Sequence, residues 1–432
     1  MISNSVVGKK LLLLGGPALV CDIVKAARAM GVYTIVTDWY PVEKSPAKIV
    51  ADKHLMISTA DVDTVVDLIR SESIDGVLTG FTDSTLTYYQ QICELAEKSC
   101  YITKEQIDIT TNKSRFKELC KIYSVPVVDE YLIDEKLLSE QIDGLKFPVI
   151  VKPVDNSGGR GISICKNIDE LHEAYLNALN FSESKKVLVE RYMNSNEVSI
   201  FYILRDGDIW LSGIGNRHTK HNQTGAIPLP VAYTFPSKHL KNYQTELNDK
   251  VIAMFKSLGM KNGIVFIQSF IDDSGFTFYE MGYRLTGTLE YKIFEAVSGY
   301  NPMKMMINFA LTGDMGCYET LKTANPNFNQ FASNITFLGK PGKIGQIIGL
   351  EDILKIQGVV DAVPSYKELD TIPQSAFGTL KQVILRVFIT AATKKQLAET
   401  MERVHNSFQV LSVEGDNMLL DKFEVNELYD QI

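Results

Sequence analysis

The sequence predicts an α/β protein whose N-terminal part is a doubly wound parallel sheet and whose later part is of the α+β type. Through residues 9–105, short apolar runs with strand character alternate with helical segments whose apolar residues recur at a helical period. From 197 to 281, by contrast, strands dominate and are separated by short turns. Alternating strands and helices are typical of a parallel sheet covered on both faces. The length of 432 residues is sufficient for about three domains.

The composition is that of an ordinary soluble globular protein, with 45% apolar and 22% charged residues. The formal net charge of −8 excludes the basic footprint of a nucleic-acid-binding protein. No apolar run reaches the roughly 18 residues that a membrane-spanning helix needs. The six cysteines form no C-x-x-C pair, which argues against a zinc knuckle or a disulfide framework and fits a reducing compartment. We therefore expect a cytoplasmic protein without nucleic-acid or membrane partners.

The first unit, residues 1–105, begins with a lysine pair and four leucines that resemble the start of a secretory signal. The apolar stretch breaks at Gly15-Gly16-Pro17 and no cleavage pattern follows, so a buried strand entering a glycine turn is the better interpretation. A helix that ends at Gly31 and a second strand that closes on Asp38 come next. Two further strand–helix pairs complete the predicted parallel sheet.

The glycine turn after the first strand raises one alternative function. Such a turn, with an acidic residue at the end of the second strand, is half of a dinucleotide-binding fingerprint. The full G-x-G-x-x-G is missing, because the turn has only the adjacent Gly15 and Gly16. We therefore favour a structural doubly wound unit over NAD binding.

The segment Val149–Ile164 (VIVKPVDNSGGRGISI) has the features of a phosphate-binding site. Lys152 lies at the end of a strand, and the Ser157–Gly161 stretch follows five to nine residues later. Glycines let the backbone approach phosphate oxygens, bare N–H groups form an anion nest, and the lysine adds a positive charge. The chain has no G-x-x-x-x-G-K-[ST], so this is not a Walker A loop, and a flexible hairpin is the alternative.

The segment Val187–Ile200 (VLVERYMNSNEVSI) combines two carboxylates with a strand that leaves a buried sheet. The backbone from Glu190 to Met193 could offer C=O and N–H groups to an adenine edge. Glu197 lies where a carboxylate could accept ribose hydroxyl groups. Two exposed carboxylates on a loop are the alternative interpretation.

The segment Gly263–Thr288 contains a predicted hairpin with two oxygen ligands. Gln268 and Glu280 lie twelve residues apart on strands joined by a DDSG turn, and a hairpin of this length brings them side by side. Two such ligands suit Mg²⁺, which completes its shell with water and phosphate oxygens. Arg284 follows four residues later, where it can hold an anionic substrate. A Glu280–Arg284 salt bridge is the alternative.

His218 and His221 lie in the polar segment GNRHTKHNQTGAIPLP, which the sequence predicts to be a loop between strands. No third ligand is nearby in the sequence, so zinc binding is disfavoured. The functional interpretation is a loop over the site that lends Arg217, His218 or Lys220 to a substrate or phosphate, and a solvated loop is the alternative.

The order, spacing and strand context of the three motif segments together resemble the ATP-grasp superfamily, which includes biotin carboxylase, carbamoyl phosphate synthetase, glycinamide ribonucleotide synthetase and the L-amino acid ligases. The resemblance covers nearly the whole chain. It implies a pre-ATP-grasp α/β domain at 1–105, an ATP-grasp domain at 106–330 and a small α+β C-terminal lobe at 331–432. Within the grasp it implies a smaller lid lobe in 106–195 and a metal and substrate lobe at 196–330.

The resemblance also implies ATP and Mg²⁺ as cofactors, with one or two ions and Mn²⁺ as a substitute. Arg284 is the implied catalytic residue, which stabilises acyl-phosphate and tetrahedral intermediates. The implied metal ligands are Gln268 and Glu280. The residues implied to bind ATP are Lys113, Lys152, Ser157, Gly158, Gly159, Arg160, Gly161, Glu190, Arg191, Met193, Glu197 and Phe270.

The implied activity is that of a ligase that activates a small carboxylate with ATP and transfers it to an amine, with small-molecule substrates and a homodimer as an allowed assembly. Two departures from the family pattern open alternatives. Gln268 stands where most members have glutamate, although carbamoyl phosphate synthetase also has glutamine there, and Gly282 stands where most have asparagine. A nucleotide-binding protein without ligase activity is therefore one alternative. A carbamoyl-phosphate-synthetase-like enzyme is another, disfavoured because the chain has one grasp unit and no glutaminase segment.

Overall fold

The structure, a computed structural model, describes residues 6–133, 142, 144–156, 159–220 and 228–429. Within this part of the chain, no helix is both long and apolar enough to cross a lipid bilayer. The described strands form a four-stranded parallel sheet, a four-stranded antiparallel sheet, an eight-stranded antiparallel sheet and a three-stranded sheet. The expected combination of α/β and α+β architecture is therefore confirmed.

The N-terminal unit is a parallel sheet with the strand order β3-β2-β1-β4. Its first strand is buried, with each of the four consecutive leucines Leu11 to Leu14 at most 2% exposed, as is typical of a strand in a covered parallel sheet. The unit consists of β1 (Lys10–Leu14), α1 (Val20–Ala29), β2 (Tyr33–Thr37), α2 (Pro46–Val50), β3 (Lys53–Leu55), α3 (Val62–Ser71), β4 (Gly76–Thr79) and α4 (Leu86–Leu95).

The glycine turn after β1 is closed by its own neighbours. The amide of Gly16 donates to Asp38 Oδ2 over 2.7 Å, and the hydroxyl of Ser45 donates to the same carboxylate oxygen over 3.2 Å. A side chain at Gly16 would meet Ser45 Oγ at 2.0 Å, so only glycine fits here. Because the amide and the carboxylate bind each other, the turn fits the structural interpretation and not the NAD-binding one.

Two capped helices, α5 (Lys104–Thr111) and α6 (Lys113–Ile122), lead away from this unit. Asn112 caps α6, because its side chain accepts the first free N–H groups of the helix. The lid sheet that follows has the strand order β5-β8-β6-β7 and packs under one helix on a small core of its own. Its elements are β5 (Glu130–Tyr131), β6 (Val149–Pro153), β7 (Ser163–Cys165), α7 (Ile168–Phe181) and β8 (Val187–Arg191).

The large sheet has the strand order β13-β12-β9-β10-β11-β14-β18-β16. Five of its strands precede residue 330, and helices lie between and after them. Strands dominate 197–281 as expected, and the two helices at 240–257 were not predicted. The elements are β9 (Asn196–Arg205), β10 (Asp208–Lys220), β11 (Leu229–Phe235), α8 (Leu240–Glu246), α9 (Asn248–Ser257), β12 (Gly263–Asp272), β13 (Gly275–Gly282), α10 (Tyr291–Ser298), α11 (Pro302–Thr312) and α12 (Tyr318–Thr323).

Helix α11 covers part of the N-terminal sheet, although it comes from a distant part of the chain. Lys9 Nζ donates to the carbonyl of Leu311 over 2.7 Å. A side chain at Gly76 in β4 would meet the carbonyl oxygen of Ala310 at 2.2 Å, so glycine permits this close approach. The N-terminal unit and the strands before residue 330 consequently share one hydrophobic core.

The C-terminal region adds three strands to the large sheet and forms a three-stranded sheet of order β17-β15-β19 over a second core. β14 pairs with β11 from Phe235 opposite Ala332 to Ala232 opposite Ile335, so the large sheet continues across residue 330. The elements are β14 (Phe331–Leu338), β15 (Gly342–Ile348), α13 (Leu350–Ile353), β16 (Val359–Pro364), β17 (Thr371–Ile372), β18 (Val383–Ala391), α14 (Lys394–Ser407) and β19 (Gln409–Ser412).

Candidate active site

The hairpin of β12 and β13 places two oxygen-bearing side chains opposite each other. Gln268 pairs in register with Glu280, and a bulge follows between Gln268 and Ser269. Both residues are half-buried. Residues directly opposite in an antiparallel pair have Cβ atoms about 5 Å apart, so both side chains can reach one ion. This register brings together the two residues that the sequence predicts as metal ligands.

Gly282, at the end of β13, excludes a further ligand. A side chain here would meet Phe266 Cε1 at 2.2 Å and Phe266 Cζ at 2.5 Å. The Phe266 ring thus occupies the space in which a larger residue would have to stand. The glycine at position 282, where most family members have asparagine, therefore leaves room for the Phe266 ring of β12.

Lys113 stands at the first position of α6, directly after its Asn112 cap, and is 8% exposed. Its Nζ donates to the carbonyl oxygen of Asn156, in the segment that precedes the glycine-rich stretch, over 2.6 Å. Burial lowers the pKa of Lys113, an effect that Glu280 opposes and Lys152 reinforces. A buried ammonium group between a carboxylate and a second lysine is suited to bind a phosphate oxygen.

Glu190 in β8 joins two buried lysines. Lys152 Nζ lies 2.5 Å from Glu190 Oε2, and Lys117 Nζ contacts Glu190 Oε1. Burial would raise the pKa of Glu190, but the two ammonium groups hold it below its ordinary value. The carboxylate therefore orients both lysines, of which the sequence interpretation had identified only Lys152. The sequence did indicate Lys117, because it follows Lys113 by one helical turn and residues at this spacing lie on the same face of a helix.

The glycine-rich stretch is described only in part. Ser157 and Gly158 lie outside the described residues. Gly159 and Gly161 have φ angles of 80° and 72°, which favour glycine. A side chain at Gly161 would also lie 2.7 Å from Phe181 Cβ, so this glycine packs against α7. Gly159 and Arg160 line the cavity described below, whereas Gly161 does not.

At the end of β8 and just after it, Arg191 and Met193 line the cavity described below. Met193 is buried, and Arg191 is exposed with its Nη2 3.6 Å from Met193 Sδ. Phe270 lies on the facing strand with its ring centroid 4.6 Å from that of Tyr279. Apolar side chains and one aromatic face are what a planar heterocyclic base packs against.

Glu197 belongs to an ion pair. Its Oε2 accepts hydrogen bonds from Arg217 Nη1 and, over 2.6 Å, from the hydroxyl of Tyr279. Burial works against the charge of Arg217, but Glu197 and Tyr279 hold its pKa well above its ordinary value. The carboxylate that the sequence assigns to a ribose is thus held in place by two side chains of the large sheet.

The expectation of a loop in the segment that begins at Gly215 is wrong for its first residues, because β10 continues to Lys220. His218 Nε2 lies 2.8 Å from Thr234 Oγ1, and burial lowers its pKa to about 3. Lys220 pairs with Glu427, near the C-terminus. His221 lies outside the described residues. The residues Asn216 to Thr219 line a cavity rather than a core, so this part of β10 has the polar composition of a loop.

Arg284 pairs with Asp83 of the N-terminal unit and not with Glu280. Its Nε and Nη2 donate to Asp83 Oδ1 and Oδ2 over 2.6 and 2.7 Å, and its Nη1 donates to the carbonyl of Leu285 over 3.0 Å. Burial disfavours the charge of Arg284, but Asp83 holds its pKa above the ordinary value. The Glu280–Arg284 alternative is therefore not the arrangement in the structure.

Arg386 is a candidate residue that sequence reasoning missed. It lies in β18, is 4% exposed, and donates from Nη1 to Thr336 Oγ1 over 2.7 Å. Burial lowers the pKa of Arg386, and no carboxylate of the described residues pairs with its guanidinium. The signal was an arginine within the apolar run VILRVFIT, since a buried arginine without an ion-pair partner is rare.

Most of the residues described above line one continuous cavity of about 1080 Å³. Its lining includes Leu19, Phe81 and Thr82 of the N-terminal unit and Ser365 and Lys381 of the C-terminal region. The described residues that the sequence predicts for the site and that line it are Lys113, Lys152, Gly159, Arg160, Glu190, Arg191, Met193, Glu197, Gln268, Phe270, Glu280 and Arg284.

Residues 112–316 match the family model described as the carbamoyl-phosphate synthase L chain, ATP binding domain. Together with the architecture, this match shows an ATP-grasp fold, and the resemblance drawn from the sequence is confirmed at the level of the fold and the ATP-binding domain. The matched segment begins at the cap of α6 and ends after α11. It therefore contains all the predicted site residues.

Solved structures with the same fold align along nearly the whole chain. An L-amino acid ligase from Bacillus licheniformis has a TM-score of 0.76 at 16% identity and covers 94% of this chain and 99% of its own. The biotin carboxylase domain of 2-oxoglutarate carboxylase from Hydrogenobacter thermophilus, a dimer in complex with MgADP, ADP and bicarbonate, has a TM-score of 0.75 at 18% identity, covering 95% and 91%.

Curated relatives are similar over shorter stretches. The 2-oxoglutarate carboxylase small subunit of Hydrogenobacter thermophilus is 26% identical over 325 residues, which is 70% of this chain and 66% of the relative. A formate-dependent phosphoribosylglycinamide formyltransferase from Prochlorococcus marinus is 28% identical over 200 residues, 45% and 50% of the two chains. The chain thus spans between half and two thirds of the length of these relatives.

Proposed function

We propose that this protein is an ATP-dependent ligase that activates a small carboxylate as an acyl phosphate and joins it to an amine. The observation that carries the proposal is the meeting of two lysines, an oxygen-bearing hairpin pair and two buried arginines on one cavity. Its volume of about 1080 Å³ is sufficient for a nucleotide together with a second substrate. The ligases among the structural neighbours support an enzyme of the ligase class.

In this proposal the nucleotide lies between the lid sheet and the large sheet. The backbone from Arg191 to Met193 takes the adenine edge, Phe270 packs against the base, and Glu197 accepts the ribose hydroxyl groups. Lys113, Lys152 and the N–H groups of Ser157–Gly161 take the phosphates. The family match to an ATP-binding domain supports ATP as the nucleotide.

The hairpin pair is proposed to bind Mg²⁺. The donor set fits this ion, because Gln268 and Glu280 offer two oxygen ligands from adjacent strands and Mg²⁺ is usually bound through one or two carboxylates plus substrate phosphates. Bound there, the ion would neutralise charge on phosphate oxygens. One or two ions, and Mn²⁺ in place of Mg²⁺, are both compatible with such oxygen ligands. The neighbour that was solved with MgADP supports an adenine nucleotide with Mg²⁺.

The chemistry proposed for the cavity has two steps. A carboxylate oxygen of the substrate attacks the γ-phosphorus of ATP, and ADP leaves with the bridging oxygen. The amine nitrogen then attacks the acyl carbon, inorganic phosphate leaves, and a proton passes from the amine to solvent. Lys113 and Lys152 stabilise charge on the transferring phosphoryl, and Arg284 and Arg386 stabilise charge on the acyl oxygens. The substrates are small molecules, and a homodimer is the proposed assembly.

A second candidate is a nucleotide-binding protein without ligase activity. Two observations favour it, namely the neutral Gln268 in place of a carboxylate and the exclusion of any side chain at Gly282. A carbamoyl-phosphate-synthetase-like enzyme is a third candidate, since such a relative from Clostridium botulinum is 26% identical over 248 residues, which is 22% of its length.

A substrate screen tests these candidates. Phosphate release from MgATP is measured with panels of small carboxylates, amino acids included, each with and without amines, and products are identified by mass spectrometry. We expect one carboxylate–amine pair to raise phosphate release and to yield an amide in equal amount. ATP binding without stimulation by any pair would instead favour the nucleotide-binding protein.

A further inference from the structure

Asp83 reaches the candidate site from outside the segment that matches the family model. It follows β4 at the carboxyl edge of the parallel sheet and begins a 3-10 turn, Asp83–Thr85. Its carboxylate nevertheless forms a bidentate pair with Arg284, 201 residues later in the sequence. The side chains are 19% and 9% exposed, so solvent screens the pair only weakly. The N-terminal unit thus contacts the residue that the proposed function treats as catalytic.

The pairing fixes which N–H groups of Arg284 remain for a substrate. A guanidinium has five N–H donors. Asp83 receives those of Nε and one of Nη2, and the Leu285 carbonyl receives one of Nη1. Among the described residues, none accepts from the second N–H of either terminal nitrogen. The Phe266 ring lies 5.2 Å from Cζ, so the plane of the group is held as well.

We propose that Asp83 is a positioning residue for Arg284, which presents the two remaining N–H groups of the guanidinium to the acyl oxygens. The proposal rests on the proposed ligase function. A bidentate carboxylate restrains both rotation and translation of a guanidinium, which a single hydrogen bond does not. Preorganised donors stabilise a transition state more than donors that must reorient.

A second ion pair joins the same two parts of the molecule. Its removal shows whether an effect on turnover comes from the position of Arg284 or only from weaker attachment of the N-terminal unit. Asp22 of α1 accepts from Lys292 Nζ over 2.8 Å and from the Tyr291 hydroxyl over 2.9 Å. Like Asp83, it links the N-terminal unit to residues just after β13. Unlike Arg284, neither Lys292 nor Tyr291 lines the cavity. Asp22 is therefore the matched control for loss of an ion pair at this junction.

The test compares Asp83→Asn, Asp83→Glu and Asp22→Asn in the full-length protein. Asp83→Asn should lower kcat on the order of tenfold or more with little change in the KM for MgATP, because a misplaced catalytic group costs mainly turnover. Asp83→Glu keeps the charge but moves it by one methylene, so its kcat should lie between those of the wild type and Asp83→Asn. Asp22→Asn should keep the wild-type kcat.

A spectroscopic measurement makes the test specific to Arg284. In protein labelled with ¹⁵N-arginine, the Nε–H signal of Arg284 is assigned by its absence in Arg284→Lys. Asp83→Asn should shift this signal and speed its exchange with water, whereas Asp22→Asn should leave it in place. Loss of turnover without this change would overturn the positioning role.

The outcomes distinguish the two proposals. A wild-type protein that forms no amide with any substrate pair overturns the ligase function. An active wild type with normal turnover in Asp83→Asn, or with an equal loss in Asp22→Asn, overturns the role of Asp83 alone. If Asp83→Asn does not fold, Asp83→Glu is used instead. Wild-type turnover in Asp83→Glu would likewise overturn the role of Asp83.

Discussion

Among single residues, Glu190 decides how Lys152 can be altered. Because Lys117 also contacts Glu190, removal of Lys152 leaves the buried carboxylate paired, so Lys152→Met should fold normally. ATP affinity should fall about tenfold or more, since a hydrogen bond to a charged group contributes roughly 1.5–3 kcal/mol. Calorimetric titration with ATP measures this, with the exposed Lys166→Met as control. Equal affinities of Lys152→Met and the wild type would contradict the phosphate role.

Gln268 offers a gain-of-charge experiment. In Gln268→Glu the new carboxylate stands opposite Glu280, so the variant should bind Mg²⁺ more tightly and reach half-maximal activity at a several-fold lower Mg²⁺ concentration. Magnesium titrations of activity measure this, and the strand residue Gln346→Glu, which is exposed, is the matched control. A lower melting temperature that MgATP does not restore would indicate that Gln268 only fills space.

Among the elements, α14 carries a histidine that makes stability depend on pH. His405 is buried against Phe337, and neither ring nitrogen has a hydrogen-bond partner among the described residues. Burial lowers its pKa from 6.5 to about 4, so the unfolded chain takes up the proton more readily. Its contribution to stability is complete above pH 6.5 and is lost as the pH falls towards 4.

The corresponding prediction concerns His405→Leu. Between pH 7.5 and pH 5, the wild type should lose about 2 kcal/mol of unfolding free energy through this residue, and the variant should not. Urea unfolding at the two pH values measures the difference. The exposed His54→Leu is the control and should lose as much as the wild type. Parallel losses in wild type and His405→Leu would show that His405 is not the group that titrates.

The elements also show what sequence can predict. Strands that carry motifs, such as β6, β8, β12 and β13, were predictable because apolar runs and turn residues are local signals. The β12–β13 register followed from the loop length, and it set Gln268 opposite Glu280. The extension of β10 to Lys220 was not predictable, because polar side chains that face a cavity have the composition of a loop. Likewise, α8 and α9 were missed within a segment dominated by strands.

Contacts between distant segments were the hardest to predict. Arg284 had two candidate roles from sequence, and the partner that the structure supplies, Asp83, belongs to another sheet. Which carboxylate comes within 3 Å depends on how the N-terminal unit packs on the strands before residue 330. The hydrophobic periodicity around Asp83 or around Arg284 does not show how these two parts of the chain pack together. The placement of Arg386 beside Thr336, 50 residues away in the sequence, depends on the same kind of long-range packing.

For the whole molecule, Lys292 connects three parts of the chain. Its Nζ lies 2.8 Å from Asp22 in α1 and 2.6 Å from Asp361 in β16. Lys292→Met should lower the free energy of unfolding by about 1 to 3 kcal/mol, because two neighbouring carboxylates lose their shared cation. Turnover should stay at the wild-type value, since Lys292 does not line the cavity.

Urea unfolding and steady-state assays of the same preparation measure both quantities. Lys355→Met is the control, because it removes an exposed lysine whose partner Asp352 is also exposed, and it should leave stability unchanged. A stability loss of equal size in the two variants would mean that Lys292 has no special connecting role. A loss of turnover in Lys292→Met would mean that the junction affects the site.

The pairing of β11 with β14 restricts which chimeras of this protein with a relative can fold. β11 is buried along its whole length and has β10 on one side and β14 on the other. A chimera that took residues 331–432 from a relative would have to match a foreign strand to the rungs from Ala232 to Phe235. Crossovers at residue 330 should therefore yield few folded hybrids. We expect residues 1–330 and 331–432 to be exchanged between relatives as one unit.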